Sequence, residues 1–327
     1  MTDINANSAN QEQSNKPSPW QQNTLENILL ETLREQKRKR RWNILFKAIF
    51  LGIFIYFIVA VNTERVSATA TRTKPHTALI DIRGEIGAST DASADNIATA
   101  LNEAFKDANT KGIILRINSP GGTPVQASYV FNEIWRLRQL HPKIKIYAVC
   151  SDICTSAAYY IASATNDIYA NPSSLIGSIG VMLDGFGFND TMQKLGVQRR
   201  LIISGAEKGF LDPFSPLNPN DQTYAQNMLN IVHQQFIDAV KLGRGNRLKA
   251  DPNLFSGLPW TGVQALQLGL IDNYGSAGYV ARNVIKNSNI VDYTQRPGFF
   301  YQLSNRIGSS FYHQFAADLG LKGISLK

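Results

Sequence analysis

Hydrophobic and polar positions divide the chain into regimes with different periods. Residues 1–22 are rich in Asn, Gln, Ser and Thr and lack any apolar repeat, which predicts a disordered segment. Leu25, Ile28, Leu29 and Leu33 fall on one face of a short helix. The basic run Lys37-Arg38-Lys39-Arg40-Arg41 then precedes an apolar run over residues 44–61, broken only by Lys47. As a helix those residues span about 27 Å, close to the ~30 Å hydrocarbon core of a bilayer. Lys47 lies near the basic end, where its stem can snorkel to the headgroups, and Trp42 stands where an interfacial aromatic would. Residues 62–75 are polar and basic and read as a linker.

From His76 the pattern changes to short apolar runs alternating with helical periods. Residues 78–82 read as a strand ended by Gly84, and 93–109 as a helix through Ile97, Leu101 and Phe105. Residues 112–117 form a second apolar strand, followed by the turn Asn118-Ser119-Pro120-Gly121-Gly122. Residues 124–140 repeat the helical period through Ala127, Phe131, Ile134 and Trp135. Strands are expected at 144–149, 167–170 and 179–183, and a short helix at 156–164. Longer helices are expected at 222–242, with Met228, Ile231, Val232, Gln235 and Phe236 on its inner face, and at 260–270. Strands alternating with helices of this size predict an α/β domain with a parallel sheet and right-handed crossover helices. The expected organisation is a cytoplasmic polar and basic segment (1–43), a transmembrane signal-anchor (44–61), a linker (62–75), one α/β domain (76–295) and a C-terminal amphipathic tail (296–327).

Charge sets the orientation. The chain has 327 residues and a formal net charge of +8. Residues 1–75 hold 11 basic and 6 acidic side chains, so most of the excess sits at one end. That argues against a broadly basic nucleic-acid-binding surface and for a cytoplasmic N-terminus with the C-terminal bulk across the bilayer. A cleaved signal peptide fits less well, because the positive region starts late and the apolar run is long. Two cysteines make no disulfide framework. Cys150 and Cys154 read either as two buried thiols or, in an oxidising compartment, as a disulfide.

Several familiar chemistries are missing. There is no His-Glu-x-x-His, Cys-x-x-Cys or Gly-x-Ser-x-Gly. The run from Gly185 to Asp190 lacks the third glycine of a dinucleotide fingerprint. None of His76, His141, His233 and His313 has a Ser or Asp neighbour that suggests a triad. Two strand-to-loop junctions remain. The Gly121-Gly122 turn permits close backbone approach and N–H groups aimed at an anion, or is an ordinary tight turn. Ser156 opens a helix after a strand, where α/β folds place their sites, or is an ordinary helix cap.

Five ordered blocks add a resemblance. They are Asn118-Ser119-Pro120-Gly121-Gly122; Ser156-Ala157-Ala158-Tyr159-Tyr160-Ile161-Ala162; Gly177-Ser178-Ile179-Gly180-Val181; Ser204-Gly205-Ala206-Glu207-Lys208; and the run from Gly262 to Asp272. Over residues 77–278 the chain resembles the short, membrane-anchored form of the signal peptide peptidase A (protease IV) family, within the Clp-protease/crotonase fold superfamily. The resemblance implies a Ser/Lys dyad, with Ser156 as nucleophile, Lys208 as general base and Ser178 hydrogen-bonded to the lysine. It also implies an oxyanion hole built from the backbone N–H groups of Gly122 and Ala157. The family commonly has Ser-Gly-Gly where this chain has Ser156-Ala157-Ala158; alanine still serves if its φ is negative.

Such a dyad hydrolyses an amide through an acyl-enzyme, with no metal or nucleotide cofactor. It requires a lysine kept from water, since burial lowers an amine's pKa. The implied substrates are released signal peptides or other apolar peptides, bound as an added strand. The implied setting is the bacterial inner membrane, with the catalytic domain periplasmic and assembled as a homo-oligomer (tetramer or octamer), the dyad lying either within one protomer or between neighbours. Two alternatives share the fold: a catalytically inert membrane scaffold, and an acyl-CoA enzyme, which an anchor outside the CoA-containing compartment disfavours. The tail from Phe299 to Leu319 reads as a helix on its own domain or as a face for the membrane or a neighbouring protomer.

Overall fold

The structure is a computed structural model, and it describes residues 20, 30–31, 34–56 and 73–295. The chain divides into two units, Met1–Thr69 and Ala70–Lys327. In the first, residues 34–56 are helical, and Ile44, Phe46, Phe50, Ile53 and Tyr56 are exposed. No helix among the described residues is long and apolar enough to cross a membrane. The distal end of the expected span, 57–61, lies outside the described residues, as does the expected tail.

The second unit is built on an eight-stranded sheet. Its strands are β1 (His76–Arg83), β2 (Thr110–Ser119), β3 (Ile146–Thr155), β4 (Asp167–Ala170), β5 (Leu175–Gly177), β6 (Pro259–Thr261), β7 (Asn273–Tyr274) and β8 (Ile290–Asp292). The order is β6-β5-β3-β2-β1-β8, with β4 paired to β3 and β7 to β4. All pairings are parallel except β5 with β6. The helices are α1 (Ala94–Lys106), α2 (Pro124–Leu140), α3 (Ala157–Ser163), α4 (Asn189–Lys194), α5 (Pro219–Arg244), α6 (Gly262–Gln267) and α7 (Ala277–Tyr279).

Parallel strands need both faces covered, and the central stretches of β1–β3, such as residues 113–115 and 146–150, are correspondingly apolar in the main. Ile80, Ile82, Ile113, Leu115, Ile117, Ala148 and Cys150 point into the larger core, against Ile97, Leu101 and Phe105 of α1 and Ala127, Phe131 and Ile134 of α2. Alternate residues Leu79, Ile114 and Val149 face a smaller cluster with Val280 and Ala281. Ser93 caps α1 by accepting from the Asn96 N–H, and Pro124 starts α2 where its missing N–H costs nothing.

The sequence pattern and the structure part in three places, the first being the helix expected at 260–270, where Pro259–Thr261 is strand β6 and the helix runs only Gly262–Gln267. The apolar run 179–183 pairs in no ladder; the strand lies earlier, at β5. On α5 only Phe236 of the five expected inner positions is buried, while Met228 and Ile231 are exposed. The helix packs instead through its C-terminal end, where Ala239, Val240, Gly243 and Arg244 are buried. A side chain at Gly243 would collide with the Ser163 carbonyl, so α5 lies directly against the end of α3.

That packing is locked by charge. Arg244 is 1% exposed; its Nε and Nη2 donate to the Gly269 carbonyl, and Nη1 donates to Asp272 at 2.7 Å. Asp272 also accepts the Ile168 N–H at 2.7 Å and an Arg247 N–H at 3.2 Å. Burial pushes the Asp272 carboxyl up, but hydrogen bonding and charge from Arg244, the Ile168 N–H and Arg247 outweigh it and hold the pKa below the ordinary value. The stability this carboxylate contributes is therefore present above the usual carboxylate range, about pH 4, and is lost as pH falls through its lower folded value. Asp272→Ala should cost about 3–5 kcal/mol at pH 7, because buried Arg244 loses its counter-charge. Denaturant titrations at pH 7 and pH 3 should show a smaller acid loss in the variant than in the wild type.

Candidate active site

Three segments converge at the carboxyl ends of β2, β3 and β5. The core of the site is the junction of β3 with α3. Thr155 is the last residue of the strand and Ala157 the first of the helix, leaving one residue for the reversal. Ser156 makes it at φ 55, ψ −128, a conformation costing a non-glycine residue of order 1–3 kcal/mol. The surroundings enforce it. The Ser156 N–H donates to Gly177 of β5 at 2.8 Å, and its carbonyl accepts from the Tyr160 N–H at 3.0 Å. Every residue of α3 is buried. This is the strained strand-to-helix elbow that lifts a serine Oγ out of a sheet, formed here without the Gly-x-Ser-x-Gly sequence.

The turn after β2 closes on that serine. Gly121 and Gly122 have φ of +110 and +151, inaccessible to most residues. A Cβ on Gly121 would stand 2.7 Å from Ser156 Cβ and 3.0 Å from both Ser156 Oγ and the Ala157 nitrogen. A Cβ on Gly122 would collide with the Ile86 carbonyl. Side chains and backbone stitch the turn. The Gly121 N–H donates to Ser119 Oγ at 3.1 Å, the Gly121 carbonyl accepts the Ile86 N–H at 2.8 Å, and Thr155 Oγ1 donates to the Pro120 carbonyl at 3.1 Å. Ala157 is not among the positive-φ residues, so its N–H, the first of α3, is one that the helix leaves unused. The methyl groups of Ala157 and Ala158 are buried.

Ser178 follows Gly177 directly, and Gly177 pairs with Thr155 in register. Ser178 is therefore the residue beside Ser156 at the sheet end, itself at φ 50. Its Oγ donates to the Gly257 carbonyl at 3.0 Å, which leaves its oxygen able to accept. Lys208 lies elsewhere in character. It is exposed in a turn closed by its own N–H to Gly205 at 3.1 Å. Among the described residues neither Lys208 Nζ nor Ser156 Oγ has a hydrogen-bond partner. The intervening stretch, residues 179–218, pairs in no strand and holds only α4. It carries exposed Met182, Phe186, Leu195, Ile202 and Leu217, and is braced by Phe188 stacked on Phe214 at 5.6 Å and Arg199 paired with Asp212 at 2.8 Å.

The structure thus brings Ser156, Ser178, Gly122 and Ala157 to one sheet end, and leaves Lys208 on a solvated loop of the single chain. Sequence reasoning missed Gly121 as the residue pressed on the serine, and Ser119 and Thr155 as the side chains that hold the turn. Only the glycine doublet signalled any of this beforehand. Cys150 and Cys154 are buried free thiols, and burial pushes the Cys154 thiol up, away from reactivity.

Residues 138–290 match the model of Peptidase family S49. The chain is 42% identical over 183 residues to a protein of Brucella melitensis biotype 1 named Na(+)/H(+) antiporter NhaA, covering 56% of this chain and 25% of that protein. It therefore spans about a quarter of that relative's length. It is 33% identical over 209 residues to a protein of Synechocystis sp. named as a protease, covering 63% of this chain and 72% of that one. A protein of Enterococcus faecium that carries the name signal peptide peptidase SppA is 28% identical over 199 residues, 61% of this chain and 57% of the other.

Gly121→Ala tests the close approach. It should destabilise the protein by about 1–3 kcal/mol through its backbone conformation, read by denaturant unfolding. It should also slow covalent labelling of Ser156 by a fluorophosphonate about tenfold or more, since the new methyl crowds Oγ. Wild-type labelling would show that the turn does not limit access to the serine.

Proposed function

Because the chain belongs to peptidase family S49, we propose that it is a membrane-anchored serine endopeptidase, hydrolysing released signal peptides through an acyl-enzyme. The observation that carries the reading is Ser156 at φ 55 with Gly121 packed on its hydroxyl. Ser156 Oγ attacks the scissile carbonyl as Lys208 takes its proton. The N–H groups of Gly122 and Ala157 receive the developing oxyanion. Lys208 then gives the proton to the leaving amine, and water, deprotonated by the same lysine, cleaves the ester. Ser178 Oγ orients the lysine by accepting one of its hydrogens.

A general base must be neutral, and an amine becomes so at moderate pH only when desolvated. Lys208 is exposed in the isolated chain, as are Leu201, Ile202 and Ile203 shortly before it, while Phe210 and Leu211 just after it are half-buried. We therefore assign the homo-oligomer, tetramer or octamer, a part in catalysis: the arm carrying Lys208 meets Ser156 of a neighbouring protomer and is dried by it. The substrate class is taken from the name of the Enterococcus faecium relative and from the apolar run at 44–61, which would hold the domain at the bilayer of the inner membrane where such peptides lie.

Purified Ser156→Ala and Lys208→Ala proteins should each lose turnover of an apolar peptide by about 10²–10⁴-fold or more while unfolding at wild-type denaturant concentrations. Mixing the two variants should restore part of the activity, because one protomer supplies the serine and the other the lysine. No recovery after subunit exchange would mean that the dyad forms within one chain, and wild-type turnover in either variant would refute the dyad.

A further inference from the structure

The nucleophile strand carries a defect immediately before the elbow. Ile117 of β2 pairs with Cys150 of β3, but Ser119 pairs with Cys154. One residue of β2, Asn118, therefore faces three of β3: Ser151, Asp152 and Ile153. At this bulge β3 leaves β4, to which it pairs through Cys150, and takes up β5, to which it pairs from Ile153. A bulge re-aims the chain beyond it, and the chain beyond this one leads within three residues to Ser156.

A bulge leaves ladder groups unpaired, and Asn118 supplies the missing partner. Its Oδ1 accepts the Ile153 N–H at 3.2 Å, and its Nδ2 donates to Asp152 Oδ2 at 2.9 Å. The Asn118 carbonyl meanwhile accepts the Gly84 N–H at 3.0 Å, so the residue is fixed to the sheet through its backbone and to the bulge through its side chain. The far side of the bulge is held by Ser174 Oγ, which donates to the Ser151 carbonyl. Asn118 is also the first residue of the turn that delivers Gly121 and Gly122. One amide side chain therefore fixes the register between the glycine turn and the serine.

Resting on the assignment of Ser156 as nucleophile, we propose that Asn118 and Asp152 are a positioning pair that sets Ser156 against the Gly121–Gly122 turn. Neither residue touches the reacting atoms, so the pair acts on kcat and leaves KM nearly unchanged. An amide is required at 118 because it must accept from Ile153 and donate to Asp152 at once. A carboxylate at 118 would face the Asp152 carboxylate at hydrogen-bond distance and repel it.

The test uses the full-length protein, an apolar peptide substrate and four variants. Asn118→Asp should lower kcat about ten- to a hundredfold at pH 7.5, and the ratio of its kcat to that of wild type should rise as pH falls and the two carboxyls come to share a proton. The double variant Asn118→Asp, Asp152→Asn should recover kcat to within about threefold, since Asn at 152 donates to Asp at 118 and Ile153 keeps its acceptor. Asp152→Ala alters an exposed side chain, keeps the fold, and should lower kcat several-fold on its own, so the inference remains testable if Asn118→Asp does not fold. Wild-type kcat in Asp152→Ala, or a double variant no better than Asn118→Asp, overturns the positioning role. Ser156→Ala is assayed alongside: if it keeps turnover, the nucleophile assignment fails, whereas its inactivity with a wild-type Asp152→Ala sinks the positioning pair alone.

Discussion

A serine held at φ 55 between a buried strand and a buried helix cannot stay there unaided. Relaxing it to an extended or helical conformation would swing α3 away from the sheet, and α3 is buried over its whole length. Its end is pressed by the α5 backbone at Gly243, and α5 is tied down through Arg244 to Gly269 and Asp272. The local cost, of order 1–3 kcal/mol, is thus set against removing a helix from the core, which would expose Tyr159, Ile161 and several alanines at once. An exposed junction of the same sequence would relax. The buried arginine far along the chain is therefore part of the reason the elbow persists.

The same logic explains why two glycines stand opposite it. An elbow projects its side chain only if the facing chain leaves room, and the β2 turn approaches so closely that even a methyl at Gly121 would stand only 3.0 Å from Ser156 Oγ. Close approach alone would be loose. Ser119 and Thr155 side chains and the Ile86 backbone take up polar groups of the turn, so the turn sits in a frame with few alternative arrangements.

Much of this frame was legible in the sequence. Residues 124–140 and 167–170 match α2 and β4 to the residue, because Pro124 marks a helix start and short apolar runs between polar breaks mark buried strands. The elbow was legible only as a serine between a strand and a helix, since a dihedral angle leaves no trace in composition. The run 179–183 was misread because it is apolar, whereas β5, three residues long, is too short to show alternation. The α5 face differs for a related reason: Met228 and Ile231 have the helical period of a buried stripe, yet among the described residues nothing covers them. Asn118 and Asp152 lie 34 residues apart, and their pairing depends on a register shift no local pattern records.

These two departures fall in the part of the molecule that also leaves Lys208 in water, and their energetics are linked. Moving a lysine amine about three pKa units towards neutrality takes roughly 4 kcal/mol of differential interaction, more than an exposed loop can supply. Each large apolar side chain removed from water returns about 1.5–3 kcal/mol. Met182, Ile202, at 95% exposure, and Leu217 flank the lysine in sequence. Covering two or three of them would offset the desolvation of one amine. A surface that buried this arm would dry the lysine proposed as base and stabilise itself by the same contact, and among the described residues nothing supplies either term. If the proposed shared dyad holds, the apolar residues that periodicity assigned to an interior would find their cover on a second copy of the chain.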